Sequence, residues 1–107
     1  MRVFALNSCD TCRKALAQLR GAGHDPQVID IRATRISDAD LADFIAQFGD
    51  AAINRASTTW RGLTEAEKRL DPVRLLREFP TVLKRPVIEH DGHWTIGWGA
   101  AVQKAWL

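Results

Sequence analysis

The feature that most constrains this chain is a change of hydrophobic period near its start. Val3-Phe4-Ala5-Leu6 is an uninterrupted apolar run, as a buried central strand requires, and Asn7 and Ser8 break it. Directly beyond, Cys12, Ala15, Leu16, Leu19 and Ala22 recur at helical spacing, with Arg13, Lys14, Gln18 and Arg20 on the remaining faces, until Gly21 and Gly23 stop the pattern. Pro26 then precedes Gln27-Val28-Ile29-Asp30-Ile31, a second candidate strand. Two strands joined through a helix lie parallel by a right-handed crossover, so the chain opens as a βαβ unit.

Both cysteines of the chain, Cys9 and Cys12, fall at this changeover as a C-x-x-C pair. With Cys9 ending a strand-to-helix turn, the two sulfurs share the first helical turn, within reach of a disulfide. The N–H groups and dipole of the helix start stabilise a thiolate there, drawing an exposed Cys9 from a pKa of about 8.5 toward the range of roughly 3.5 to 7.5. On spacing alone the pair is open to thiol exchange, to metal binding or to coincidence, and a free cysteine is most often a small buried hydrophobe. Zinc would need further ligands from His24, His90 and His93, with no second C-x-x-C, so no metal is expected.

The middle of the chain is helical by its punctuation. Ser37 is a good N-cap, with Asp40 at the third helical position and Ile36 and Leu41 placed as a hydrophobic staple. This helix runs to about Phe48, its buried stripe being Leu41, Phe44, Ile45 and Phe48, with Gly49 as the terminating residue. A loop carries Asn54, Arg55 and Thr58-Thr59-Trp60-Arg61; Thr64 and Glu67 then make a capping box. Asp71 before Pro72 opens another helix, with Val73, Leu76 and Phe79 inward and Pro80 ending it. The last third turns to strand period: Val87-Ile88-Glu89-His90, an Asp91-Gly92 turn and His93-Trp94-Thr95-Ile96 read as a β-hairpin, followed by a short helix carrying Val102 and Trp106. The order is β-α-β-α-α-α-β-β-α. At 107 residues this is one domain, 1–107, because halves of it would be too small to bury a useful core.

Composition excludes several functions. A net charge of +2 with 13 acidic residues spread along the chain makes no nucleic-acid-binding face. The opening apolar segment is too short for a signal peptide and no run approaches the roughly 18 apolar residues of a membrane span, so a soluble, cytoplasmic protein is expected. In a reducing compartment a C-x-x-C pair is catalytic or metal-binding rather than structural. The four tryptophans, Trp60, Trp94, Trp98 and Trp106, are read as core aromatics rather than a ligand-stacking set.

C-x-x-C at the first strand-to-helix turn, a βαβ start and a terminal ββα together resemble the thioredoxin fold. The motifs Asn7-x-Cys9-x-x-Cys12-Arg13-Lys14, Thr58-Thr59-Trp60-Arg61 and Lys84-Arg85-Pro86 narrow this to the arsenate reductase family that includes the Spx and YffB groups, closest in pattern to YffB. The resemblance implies an α/β, thioredoxin-like fold with an inserted helical segment between the βαβ start and the terminal ββα. It also implies that Cys9 is the nucleophile, that Arg55 and Arg85 belong to an anion-binding set, and that Pro86 is a cis proline beside the active site. Fixed guanidinium groups suit an oxyanion or a glutathione carboxylate, and an arginine near Cys9 favours its thiolate. Cys12 is then either the resolving thiol or a placeholder, and Asn7 faces substrate or simply forms the turn. Arg13 and Lys14 either raise the local potential or are plain surface charge.

One departure shapes the expected function. Arsenate reductases of this type carry a third arginine after the hairpin, where this chain has Thr95-Ile96-Gly97-Trp98. The expectation is therefore a cytoplasmic thiol-disulfide oxidoreductase, glutathione-dependent, with a Cys9 adduct resolved by Cys12 or by glutathione. No bound cofactor is expected, glutathione being the thiol co-substrate. The expected partners are glutathione or a small thiol or oxyanion substrate, with glutaredoxin or thioredoxin as protein partners, no direct nucleic acid, no membrane, and a monomeric state. The alternatives are an Spx-like redox-sensing regulator that binds RNA polymerase and a true arsenate reductase.

Overall fold

The computed structural model describes residues 1–107, which fall into two compact units: residues 1–34 with 85–107, and residues 35–84. The first holds β1 (Arg2–Ala5), α1 (Asp10–Gly21), β2 (Gln27–Asp30), β3 (Val87–His90), β4 (His93–Ile96) and α6 (Ala100–Trp106). The second holds α2 (Asp38–Phe48), α3 (Thr58–Arg61), α4 (Glu65–Lys68) and α5 (Pro72–Glu78).

In the first unit the strands form a mixed four-stranded sheet in the order β2-β1-β3-β4. β1 pairs parallel with β2, as the crossover argument requires, and antiparallel with β3, while β3 and β4 form the expected hairpin. The apolar run is buried because it is central: Val3, Phe4 and Ala5 are sealed between two neighbours, whereas the edge strands β2 and β4 are only half-buried. Asp91 and Gly92 adopt φ of 50° and 79°, the pair of positive values that a tight hairpin turn needs to match the strand twist.

One core cluster joins sheet and helices. Val3, Ala5 and Ile88 from the sheet meet Cys12, Ala15, Leu16 and Leu19 of α1 and Trp98, with Val102 and Trp106 packed on the edge of the cluster. The helical stripe is as expected except at Ala22, which is exposed because α1 has already ended. Polar tips of the aromatics are satisfied: Trp98 Nε1 donates to Gln18 Oε1 at 2.7 Å and Trp106 Nε1 to Thr95 Oγ1 at 2.8 Å. His24 Nε2 lies 2.6 Å from the Trp106 carbonyl oxygen, and the His93 ring meets Trp106 edge-on. On the opposite face of the sheet the Arg2 guanidinium lies over Phe4 and Trp94 and donates to Glu89 at 3.1 Å.

In the second unit the caps set the helix starts. Ser37 accepts from Asp40 N, Thr64 and Glu67 form a full capping box, and Asp71 accepts from Arg74 N with Pro72 in the first turn. α2 lies against α5, tied also by an Arg77–Asp38 ion pair at 2.5 Å. Burial there is narrower than the expected stripes: Leu41 and Phe44 are buried, but Ile45 and Phe48 only half. On α5 the buried pair is Leu75 and Leu76 rather than Val73 and Phe79, since Phe79 has left the helix with φ −131° and ψ 68°. The segment Thr58-Thr59-Trp60-Arg61, expected in a loop, forms the helical turn α3. Ser57, whose side chain accepts from Trp60 N, supplies a cap that the reading of the sequence passed over.

Leu19 is wholly buried in the cluster that seats α1. Leu19→Ala is expected to destabilise the protein by about 2 to 5 kcal/mol, measured by urea unfolding. A loss below about 1 kcal/mol would mean that α1 is not held by this face.

Candidate active site

β1 delivers the chain into a tight turn in which Cys9 N donates to the Leu6 oxygen at 3.0 Å. Cys9 then stands at the N-cap of α1, with φ −88° and ψ 115°, and its own carbonyl receives the first helical bond from Arg13 N at 3.1 Å. The position normally occupied by a capping hydroxyl or carboxylate thus carries a sulfur. Cys9 is half-exposed, Cys12 is fully buried, and both are free thiols.

The two sulfurs are driven apart in acidity. At Cys9 burial acts upward and is the largest single influence. It is outweighed by the Cys12 main-chain N–H, the Cys12 thiol, and the Arg85 guanidinium acting by hydrogen bond and by charge, so the thiol is held below its ordinary value. The neutral Cys9 side chain makes no formal capping bond, so the N–H of Cys12 matters chiefly once a thiolate is present to accept from it. Cys12 goes the other way. Burial, with a smaller push from the neighbouring Cys9, outweighs the Leu6 main-chain N–H and Arg85 and leaves the thiol raised to about 11. Leu6 acts through its backbone, a contribution no sequence motif announces.

Arg85 precedes a cis peptide bond to Pro86, and Pro86 is buried. The Pro86 carbonyl accepts from Gly97 N at 2.9 Å, which ties the end of β4 to the proline. Gly97 is buried with φ 79°, a conformation that disfavours any side chain. Across the segment that lacks arginine, Thr95 is engaged by Trp106, Gly97 by Pro86, and the Trp98 indole by Gln18. These residues hold the fold and present no cation.

Cys9, Cys12, Arg85 and Pro86 are thus assembled within one unit. Asn7 lies on the exposed face of the turn, its carbonyl accepting from Arg13 Nη1 at 3.3 Å, so its turn-forming part is evident. Arg13 also pairs with Asp10, and both are exposed. Arg55 belongs to the helical unit, where its guanidinium lies 5.1 Å from the Trp60 ring centroid and 3.8 Å from Asp50. Lys68 shares the same ring at 5.7 Å. Trp60 is therefore half-buried under two cations rather than a core residue. No group of three or more His, Cys, Asp or Glu side chains converges, and no helix is long and apolar enough to cross a membrane.

Comparison with known proteins places this geometry. The family model described as the ArsC family matches residues 4–105. An uncharacterised protein of Haemophilus influenzae is 36% identical over 100 residues, spanning 89% of this chain and 88% of its own. Among solved structures, a YffB protein superposes with a TM-score of 0.90 at 32% identity, covering 99% of this chain and 97% of its own. An arsenate reductase-related protein from Brucella melitensis superposes at 0.73 with 29% identity, covering 98% and 92%. The thioredoxin-like α/β fold of these proteins is the fold found here.

The opposed acidities of the two thiols are open to measurement by alkylation with iodoacetamide against pH, resolved by mass spectrometry. Cys9 is expected to react with a midpoint below that of an ordinary cysteine, and Cys12 only when the protein unfolds or the solution is strongly alkaline. Arg85→Gln removes a charge that favours the thiolate, so the Cys9 midpoint must rise. An unchanged midpoint would exclude Arg85 from the site.

Proposed function

From the premise that the chain belongs to the ArsC family and has a thiol oxidoreductase-like function, we propose that it is a glutathione-dependent thiol-disulfide reductase of the cytoplasm. The observation that carries this reading is the pairing of a half-exposed, acidified Cys9 with a fully buried Cys12. The Cys9 thiolate attacks one sulfur of a disulfide, whose bond breaks as the new Cys9 sulfur bond forms. The other sulfur leaves as a thiolate and takes a proton. A first glutathione thiolate then attacks the Cys9 sulfur of this adduct, releasing the remaining half of the substrate as a thiolate that takes a proton and leaving Cys9–glutathione. A second glutathione thiolate attacks the glutathione sulfur, regenerating the Cys9 thiolate and releasing oxidised glutathione. Two glutathione thiols thereby supply the two electrons.

Resolution by Cys12 would need its thiolate, which burial of the side chain disfavours. External glutathione is therefore the favoured resolving thiol, with glutaredoxin or thioredoxin as reductants of any Cys9–Cys12 disulfide that forms. Arg85 holds the anionic part of the co-substrate beside the thiol. Arg55 is assigned a similar part on the family resemblance. Arsenate ranks lower, because Thr95–Trp98 presents no cation.

Cys9→Ser is expected to reduce disulfide turnover in the presence of glutathione to background, and Cys12→Ser to leave kcat/KM within about threefold. Abolition by Cys12→Ser would instead assign resolution to the internal thiol. Because the thiolate is the reactive form, kcat/KM should be full above the Cys9 pKa and fall as pH drops through it. That fall lies at lower pH than for an unperturbed thiol, and a profile centred at or above the ordinary cysteine value would overturn the reading.

A further inference from the structure

A groove runs along the outer side of the first unit, between α1 and the edge strand β2. Its volume is about 570 Å³, and it is lined by Asn7, Arg13, Leu16, Ala17, Arg20 and Val28. The floor is apolar, from Leu16, Ala17 and Val28, and the rim on α1 is cationic. Arg20 is exposed and enters no ion pair, while Arg13 is held by an exposed pair with Asp10 and an exposed 3.3 Å bond to the Asn7 carbonyl, contacts that water weakens. At its upper end the groove meets a second depression of about 370 Å³ that shares Asn7 and adds Ser8, Asp30 and Arg32. Asn7 stands two residues before the thiol, so this surface leads away from Cys9 down the helix.

Length and chemistry select the occupant. From Cys9 to Arg20 the helix extends about 16 Å at roughly 1.5 Å per residue. An extended tripeptide covers about 10 Å and a five-residue segment about 17 Å. β2 is the edge of the sheet, with no strand on its outer side, so an extended chain lying there can also use main-chain hydrogen bonds. Two arginines about 10 Å apart along the axis complement carboxylates spaced along such a chain.

We propose that this groove seats an acidic, extended segment of a protein partner whose own cysteine sulfur exchanges at Cys9. The proposal rests on the thiol-exchange reading above and specifies the substrate class: a protein disulfide with acidic residues beside the reacting cysteine. Arg13 and Arg20 select the segment, Leu16, Ala17 and Val28 take its apolar side chain, and the exchange proceeds as already written.

The test separates binding from turnover. A fluorescein-labelled hexapeptide with two glutamates on each side of a serine-valine pair, serine standing for the reacting cysteine, is titrated with the full chain by anisotropy. A counterpart carries glutamine at all four acidic positions. The acidic peptide is expected to bind roughly tenfold more tightly, and Arg20→Glu, or the milder Arg20→Gln, to remove that preference. Amide shifts should fall on Ala17, Arg20 and Val28. Equal binding of the two peptides, indifference to both Arg20 variants, or shifts confined to other residues would overturn the proposal. Displacement of the peptide by millimolar glutathione with shifts at those same amides would also overturn it, by placing the free tripeptide in the groove. Turnover of bis(2-hydroxyethyl) disulfide reports on Cys9 chemistry alone and is expected to be unchanged in Arg20→Glu. If that turnover is absent while Arg20-dependent binding persists, the reductase reading falls and the groove assignment stands.

Discussion

The docking of α1 onto the sheet is the constraint from which the rest of the site follows. Ala15, Leu16 and Leu19 fix the helix against Val3, Ala5 and Ile88, and the same face buries Cys12 at the third helical position. As a first-turn residue of that seated helix, Cys12 points its N–H to the end where Cys9 stands. One packing event thus creates both the donor that favours a thiolate at Cys9 and the dry surroundings that suppress one at Cys12. The asymmetry of the pair is a consequence of where the core lies rather than of any difference between the two side chains.

The segment after the hairpin shows the same economy of roles. Thr95, Gly97 and Trp98 are committed to Trp106, Pro86 and Gln18. These bonds bring α6 onto the sheet and fix the proline that follows Arg85. An arginine at Gly97 would have to adopt a left-handed conformation in a buried position. At Gly97, therefore, the packing of this chain itself opposes a cationic side chain.

Most elements were legible because their signals are local. The caps at Ser37, Thr64 and Asp71 and the Asp91-Gly92 turn each rest on contacts within a few residues, and the βαβ start shows as a change of hydrophobic period along the chain even though its strands pair across 25 positions. The misreadings share a different origin. Thr58–Arg61 is helical because Ser57 caps it, a signal hidden among neighbouring threonines. The inward residues of α5 are set by how that helix meets α2, a long-range contact that a three-residue spacing cannot rank.

At the site, the sequence by itself determined that two thiols would share the first turn of a helix entered from a buried strand, with an arginine-proline pair available from the start of the hairpin. It also determined the family, because motif order and spacing survive in one dimension. The sequence also set Cys12 in the apolar stripe of that helix with Cys9 at its exposed start; only the tertiary structure decided how completely Cys12 is dried, that Arg85 lies close enough to acidify Cys9, and that Trp60 lies beneath Arg55 and Lys68. The physical reason is the same in each case. Acidity and cation placement depend on desolvation and on charges brought near by chain segments tens of residues apart, and neither quantity is defined until the core has closed.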